Sequence, residues 1–279
     1  MTDISIISVN YRSADHLRRM VASLLRHATS LSWELFIINH SKEEDLSDVV
    51  SDARIHLLTQ ENRGFASGCN RGIREATGKY LLLLNPDIEL TDDSLATLLG
   101  HLNQDTEVGI AGVRLSNPDG SPQPSVRAFP TPLNQLVVLL KLPHLFPKIL
   151  KHYLKTDFDY RKTQDVDQVM GAYFLIRRAL IEDIGLLDEG FFYWFEEVDY
   201  CKRAKDAGWK IRYYADVQAR HAKGGSFSQV RTREKQAVIR RSLRRYIRKH
   251  FGWGAWAIFV FFHPLLWILG RIADFVKRY

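Results

Sequence analysis

The chain has 279 residues, 46% hydrophobic and 25% charged, enough to bury the core of one large α/β domain or two small ones. Its net charge of +7 is concentrated: residues 231–250 hold nine Lys/Arg against one Glu, which leaves the rest of the chain at −1. A near-neutral body with one basic segment argues against a broad nucleic-acid-wrapping face, and two cysteines with no CxxC pair argue against a disulfide framework or a structural zinc site. A reducing compartment follows, and the N-terminus MTDISIISV lacks the basic flank and the apolar length of a signal peptide, so a cytoplasmic body is expected.

In chain order, residues 4–9 (ISIISV) predict a strand ending at Asn10-Tyr11. Leu17, Met20, Val21, Leu24 and Leu25 recur at three- and four-residue spacing and predict a helix over 15–28. A strand over 33–38, a short one over 54–58, a helix near 66–77 and a strand over 79–84 complete an alternation that predicts a mostly parallel sheet flanked by helices. In such sheets ligands bind at the carboxyl ends of the strands, where this chain places Asn10, Tyr11, Asn39, Ser41 and the stretch Asn85–Asp87. Each alone reads first as a turn residue, but polar residues at several successive strand ends together point to a ligand. No GxGxxG or GxxxxGK[ST] occurs, which disfavours a dinucleotide fold and a P-loop.

The stretch 117–132 carries five prolines and reads as a loop without strand or helix. Residues 133–155, apolar and basic and interrupted by Pro143 and Pro147, read as a helical arm, a lid or a membrane-touching element. Strand character returns from 168, and a helix is expected over 178–184. Next, an aromatic cluster from Phe191 to Phe195 runs into Glu196-Glu197-Val198-Asp199. On a helix Glu196 shares a face with Asp199, and Asp199 with Arg203, while Glu197 points elsewhere. Burial raises a carboxyl pKa there and the helix N-terminus lowers it. The aromatic wall favours a functional Glu197, since sugar pockets use such walls; for Glu196 and Asp199 a first-turn structural preference weighs equally. His221, before Gly224-Gly225, is a candidate metal ligand with Asp87 as partner.

Taken in order, these segments resemble an inverting glycosyltransferase of the large family 2, with the GT-A fold, and are most similar to rhamnosyltransferase-like enzymes of bacterial cell-surface polysaccharides. The resemblance covers about residues 4–228. It rests on Val9-Asn10-Tyr11, Asn39-His40-Ser41, Asn62-Arg63-Gly64-Phe65, Gly68-Cys69-Asn70-Arg71-Gly72 and Leu84-Asn85-Pro86-Asp87. It continues in Ser125–Pro130, Gly171–Arg177, Phe192–Asp199 with Cys201 and Arg203, Ala207-Gly208-Trp209 and His221.

The resemblance implies a divalent cation (Mg2+ or Mn2+) held by Asp87 and His221 and bridging the donor diphosphate. Glu197 corresponds to the general base, with Glu196 and Asp199 as supporting acids. Val9, Asn10, Tyr11, Asn39, Ser41, Asn62, Gly64, Asn70, Asn85 and Asp87 would hold the nucleotide sugar, and Arg127, Gly171 and Trp194 the acceptor. Two departures stand out: Asn85 takes the first position of the DxD-type motif, and Ile38 stands where many members carry a nucleoside-binding Asp. The implied donor is dTDP-L-rhamnose, or a UDP-sugar in a variant reading, and the acceptor a polyprenyl-diphosphate-linked glycan of O-antigen or cell-wall synthesis. A non-catalytic nucleotide-binding assembly subunit is the contrasting class, and intact Asp87, Glu197 and His221 speak against it.

The implied division is a GT-A domain over 1–230, with a nucleotide-sugar half (1–116) and an acceptor half (117–230), and a C-terminal region over 231–279. There Ile239, Leu243, Tyr246 and Ile247 line one face among Arg240, Arg241, Arg244, Arg245 and Arg248. Residues 251–270 lack Asp, Glu, Lys and Arg, carry three tryptophans, and break at His263-Pro264. The expectation is peripheral or monotopic attachment to the cytoplasmic face of the inner membrane. A hairpin packed on the domain is the alternative.

Overall fold

Strand β1 (Ile4–Asn10) is buried at all seven positions, as an interior parallel strand must be. This computed structural model describes residues 2–140, 147–222, 232–262 and 264. After β1 come α1 (Ala14–His27), β2 (Trp33–Asn39), β3 (Ile55–Thr59), α2 (Phe65–Glu75) and β4 (Tyr80–Leu84). They are followed by β5 (Ile88–Leu90), α3 (Ser94–Gln104), β6 (Val108–Ser116), β7 (Pro122–Gln123) and β8 (Val126–Arg127). Next are α4 (Pro132–Leu139), α5 (Pro147–Leu154), β9 (Gln164–Asp165), β10 (Gln168–Val169) and β11 (Tyr173–Arg177). The last elements are α6 (Arg178–Ile184), α7 (Glu196–Asp206), β12 (Lys210–His221) and α8 (Thr232–Phe261).

One ten-stranded sheet runs β3-β2-β1-β4-β11-β6-β12-β5, with β7 added to β6 and β9 to β12. Its first four strands are parallel, and β11 then enters antiparallel between β4 and β6. The sheet is therefore mixed, and it joins residues 1–116 and 117–230 in a single body. Helices cover both faces. Leu17, Met20 and Leu24 of α1 and Leu95, Leu98 and Leu102 of α3 fill one core. Ala66, Cys69 and Ile73 of α2, Leu180 of α6 and Tyr200 and Ala204 of α7 fill the other. α2 lies close on β1 because two of its residues lack a side chain: a Cβ on Gly72 would stand 2.6 Å from Ile7 Cγ2, and one on Gly68 2.9 Å from Val9 Cγ2.

Two expectations are corrected here. The proline-rich stretch 117–132 contains strands: β7 pairs with β6, and β8 with β10. Each is only two residues long, too short for periodicity to register, and exists because a partner strand passes alongside. Within the C-terminal region, the face carrying Leu243, Tyr246 and Ile247 does not point outward. It is buried with Phe191, Val198 and Phe259 in a third core. Ion pairs seal this packing, with Arg245 and Lys249 meeting Asp188 at 2.6 and 3.0 Å. Beyond Gly252, whose φ of 81° breaks α8, the helix exposes Trp253, Ile258, Val260 and Phe261. Among the described residues no helix is long and apolar enough to cross a membrane. The arm over 141–146, the Gly224-Gly225 pair and most of 263–279 lie outside the described residues.

Candidate active site

The β5–β12 ladder builds the first half of the site. Asn85, Pro86 and Asp87 form a turn closed by Ile88 N–H donating to the Asn85 carbonyl at 3.1 Å, with the proline where its fixed φ suits the bend. Ile88 then pairs with His221 at the end of β12, and Ala222 N–H donates to the Asp87 carbonyl at 2.9 Å. This register brings two residues far apart in sequence side by side. His221 Nε2 stands 3.3 Å from Asp87 Oδ1, and both residues are buried.

The other ring nitrogen, Nδ1, lies 2.6 Å from Oε1 of the buried Gln123. With the amide oxygen accepting from Nδ1–H, Nε2 carries a lone pair aimed at Asp87. Ligand bonds of about 2.0–2.2 Å to one ion place neighbouring donor atoms roughly 3 Å apart, so the pair fits a divalent cation. Two protein donors leave most of the coordination shell to a diphosphate. Among the described residues no group of three or more His, Cys, Asp or Glu could hold a metal without such help.

The second half is the start of α7. Trp194 and Phe195 both take left-handed backbone conformations, with φ of 63° and 73°, immediately before Glu196. Such strain in bulky residues persists where surrounding structure imposes it, and it concentrates at functional sites. Here it turns the aromatic segment sharply into the helix. Gly64, at φ 104°, supports that turn: Phe65 N–H donates to the Phe192 carbonyl at 2.7 Å, and a Cβ on Gly64 would collide with the same oxygen at 2.5 Å. Gly171, between β10 and β11, leaves room for Glu197, whose Cβ and Cγ stand 3.4 Å from where a Cβ on Gly171 would be.

Glu196 is buried and the adjacent Glu197 half-buried, and the enclosed Oε2 of each has no hydrogen-bond partner. Burial raises the Glu196 pKa well above the ordinary carboxylate range, and the neighbouring Glu197 charge raises it further. Burial also raises Glu197, but N–H groups at the α7 N-terminus and the Arg127 charge pull the other way. Glu196 is thus held further from ionisation than Glu197. Tyr193 lies within reach of both halves: burial raises its pKa, followed by the charges of Glu196, Glu197 and Asp87.

These groups share one cavity of about 1000 Å³. Val9, Tyr11, Asn62, Gly64, Asn85, Asp87, Arg127, Gly171, Trp194, Glu196, Glu197 and His221 all line it. Asn10, Asn39, Ser41 and Asn70 do not. Asn10 donates to Asn39 and Glu44 at 3.0 and 2.8 Å, and Asn39 accepts from Ser41 N–H at 2.9 Å, a buried net tying the ends of β1 and β2. Asn70 donates to the Leu187 carbonyl and Glu189, both at 2.9 Å, and fixes α2 to the chain ahead of the aromatic segment. Asp199 is also placed elsewhere: fully buried, it meets Arg203 at 3.0 Å, Lys249 at 2.8 Å and His250 at 2.8 Å. It binds α7 to α8 and is not a supporting acid of the cavity.

Among the lining or supporting residues not singled out in the sequence are Gln123 and His40. Gln123, which orients His221, sat unmarked in the proline-rich stretch. His40 lines the cavity, with its pKa lowered by burial and its Nε2 3.0 Å from Gln60 Nε2. Its place between Asn39 and Ser41 at a strand end was the available signal.

A mixed, helix-covered sheet with its cavity at the strand ends is the architecture of GT-A-type transferases, and solved structures of that class match it. GalNAc-T7 with UDP, GalNAc and Mn2+ superposes with a TM-score of 0.58 at 15% identity, over 86% of this chain and 48% of that one, about half its length. The mannosyltransferase PcManGT from Pyrobaculum calidifontis, in complex with GDP-Man and Mn2+, gives 0.57 at 15% identity over 98% and 76%. The family model described as Glycosyl transferase family 2 matches residues 5–185, and the chain belongs to that family. Among curated relatives, the low-salt glycan biosynthesis hexosyltransferase Agl10 of Haloferax volcanii is 30% identical over 79% of this chain and 67% of its own. The N-acetylglucosaminyl-diphospho-decaprenol L-rhamnosyltransferase of Mycobacterium tuberculosis is 24% identical over 96% and 90%. Rhamnosyltransferase WbbL of Escherichia coli is 23% identical over 78% and 83%.

Proposed function

We propose that the protein transfers a sugar, L-rhamnose from dTDP-L-rhamnose, with inversion, onto a polyprenyl-diphosphate-linked glycan during cell-surface polysaccharide synthesis. The observation that carries this reading is the shared cavity, in which the Asp87–His221 pair and Glu197 face one space. Names of the Mycobacterium tuberculosis and Escherichia coli relatives support the rhamnose donor, and the former also supports the lipid-linked acceptor. Mn2+ in both structural neighbours supports a divalent cation.

Asp87 Oδ1 and His221 Nε2 would hold the cation, which neutralises charge on the donor diphosphate. Gln123 keeps His221 in the tautomer that can ligate. Glu197 accepts the proton of the acceptor hydroxyl as that oxygen bonds to the anomeric carbon. The bond from that carbon to the diphosphate breaks in the same displacement, and its electron pair leaves with the nucleotide. Burial of Glu196 disfavours a second negative charge beside the base. Trp194 and Tyr193 offer ring surface against which a sugar can stack.

We also infer that the enzyme works at the cytoplasmic face of the inner membrane, held there by the end of α8. Exposed Trp253, Ile258, Val260 and Phe261 support this, because an isolated cluster of large apolar side chains on a helix suits a lipid interface.

Glu197→Gln tests the assignment of the base. The amide keeps the volume, so nucleotide-sugar binding should persist while transfer falls about 10²–10⁴-fold, measured with dTDP-rhamnose and a lipid-linked acceptor. Normal transfer by this variant would overturn the role given to Glu197.

A further inference from the structure

The cavity has two kinds of lining. Asp87, His221 and Glu197 are polar; Val138 on α4, Leu150 and Leu154 on α5, and Ile239 on α8 are aliphatic. Val138 and Leu154 remain 41% and 37% exposed. These aliphatic groups offer no hydrogen bond to a base, a ribose or a phosphate, so a nucleotide sugar has no use for this arm.

Arg127 links the two linings. Its charge acts on Glu197, and its guanidinium lies 6.0 Å from the Tyr153 ring, which packs with Val137 and Leu150. Its side chain is exposed. Carboxylate, cation and aliphatic groups therefore line a single cavity, with the cation near both of the others. A molecule that presents a sugar hydroxyl, a diphosphate and a hydrocarbon chain in that order matches this set.

We propose that the α4–α5–α8 arm of the cavity is an isoprenoid subsite. It takes the first isoprene units of the acceptor's lipid, while Arg127 binds the acceptor diphosphate and Glu197 faces the sugar. The inference rests on the transferase reading for its acceptor, and it names the part of that acceptor which the protein grips outside the reaction centre. The concave lining suits a single chain more than a flat bilayer surface.

Farnesyl diphosphate, a soluble isoprenyl diphosphate, is the probe. Calorimetric titration of the full chain should show it binding at least tenfold more tightly than inorganic diphosphate or farnesol. Leu154→Asp and Val138→Asp, on separate helices, should each weaken it tenfold or more, as should Arg127→Ala, with dTDP affinity and melting temperature reporting that each variant is folded. Equal binding of inorganic diphosphate, or unchanged binding in both aspartate variants, overturns the subsite. So does a parallel loss of binding to phosphatidylglycerol vesicles free of isoprenyl lipid, which would assign the face to the bilayer. The readout needs no turnover. Variant-sensitive farnesyl diphosphate binding without sugar transfer would sink the transferase reading alone, and transfer without such binding would sink the subsite alone.

Discussion

Gln123 shows how much of the proposed cation site lies behind its ligands. The amide carries no charge, yet its oxygen meets Nδ1 of the imidazole whose Nε2 faces Asp87. Gln123→Ala should lower cation affinity about 10–100-fold, read from the Mn2+ dependence of transfer or by direct Mn2+ titration. Buried Glu196 permits a second test. A carboxyl whose pKa is raised in the folded state keeps its proton where the unfolded chain has lost it, so its contribution to stability falls as pH rises above the ordinary glutamate range. Glu196→Gln removes that penalty. Its melting temperature relative to wild type should therefore climb between pH 5 and pH 8, by about 2–4 °C for each kcal/mol relieved. Asp87, Glu197 and His221 were legible in the sequence because motif residues followed strand ends in order. Gln123 was not, since a glutamine in a loop has no pattern, and its partner lies 98 positions away.

At the scale of elements, α7 is held from behind. Asp199 anchors its first turn to α8 through Lys249 and His250, and burial, which alone would raise the Asp199 pKa, is outweighed by hydrogen bonds from those groups. Asp199→Asn leaves three cationic or polar partners around a neutral amide. It should cost about 3–5 kcal/mol in chemical denaturation, with transfer falling as Glu197 loses its support. The first helix followed from its three- and four-residue spacing, and strands β1, β2 and β4 from short continuous apolar runs, as interior parallel strands require. β7 and β8 escaped because two residues cannot display a period. The stripe of Leu243, Tyr246 and Ile247 was legible as a stripe, but an apolar face does not say whether protein or lipid will cover it. Here Phe191 and Val198 do.

For the whole molecule, the C-terminal region divides at Gly252 into two parts with different work. Residues 232–250 complete the third core and the ion pairs, with Asp188 held at a pKa of about 2 because hydrogen bonds from Arg245 and Lys249 outweigh its burial. After the break Phe259 still packs into that core, while Trp253, Ile258, Val260 and Phe261 are exposed. Truncation after residue 231 should thus destabilise the catalytic body, since burial of Leu243, Tyr246 and Ile247 contributes about 1.5–3 kcal/mol apiece. Truncation after residue 251, which removes Phe259 from that core but keeps Leu243, Tyr246 and Ile247, should fold with reduced stability and release the protein from anionic vesicles, as followed by cosedimentation. A shorter chain that still pellets with vesicles would place the anchor elsewhere.

The ladder that joins Asp87 to His221 also imposes an arithmetic of odd and even on β12. Side chains alternate between faces, and the strand already accommodates an irregularity between Tyr214 and Gln218. One residue gained or lost downstream of that bulge would swing the imidazole to the opposite surface of the sheet and leave nearly every other backbone bond intact. Natural length variation in this strand should therefore come in pairs, or be absorbed at the bulge, in any descendant that still grips its ion.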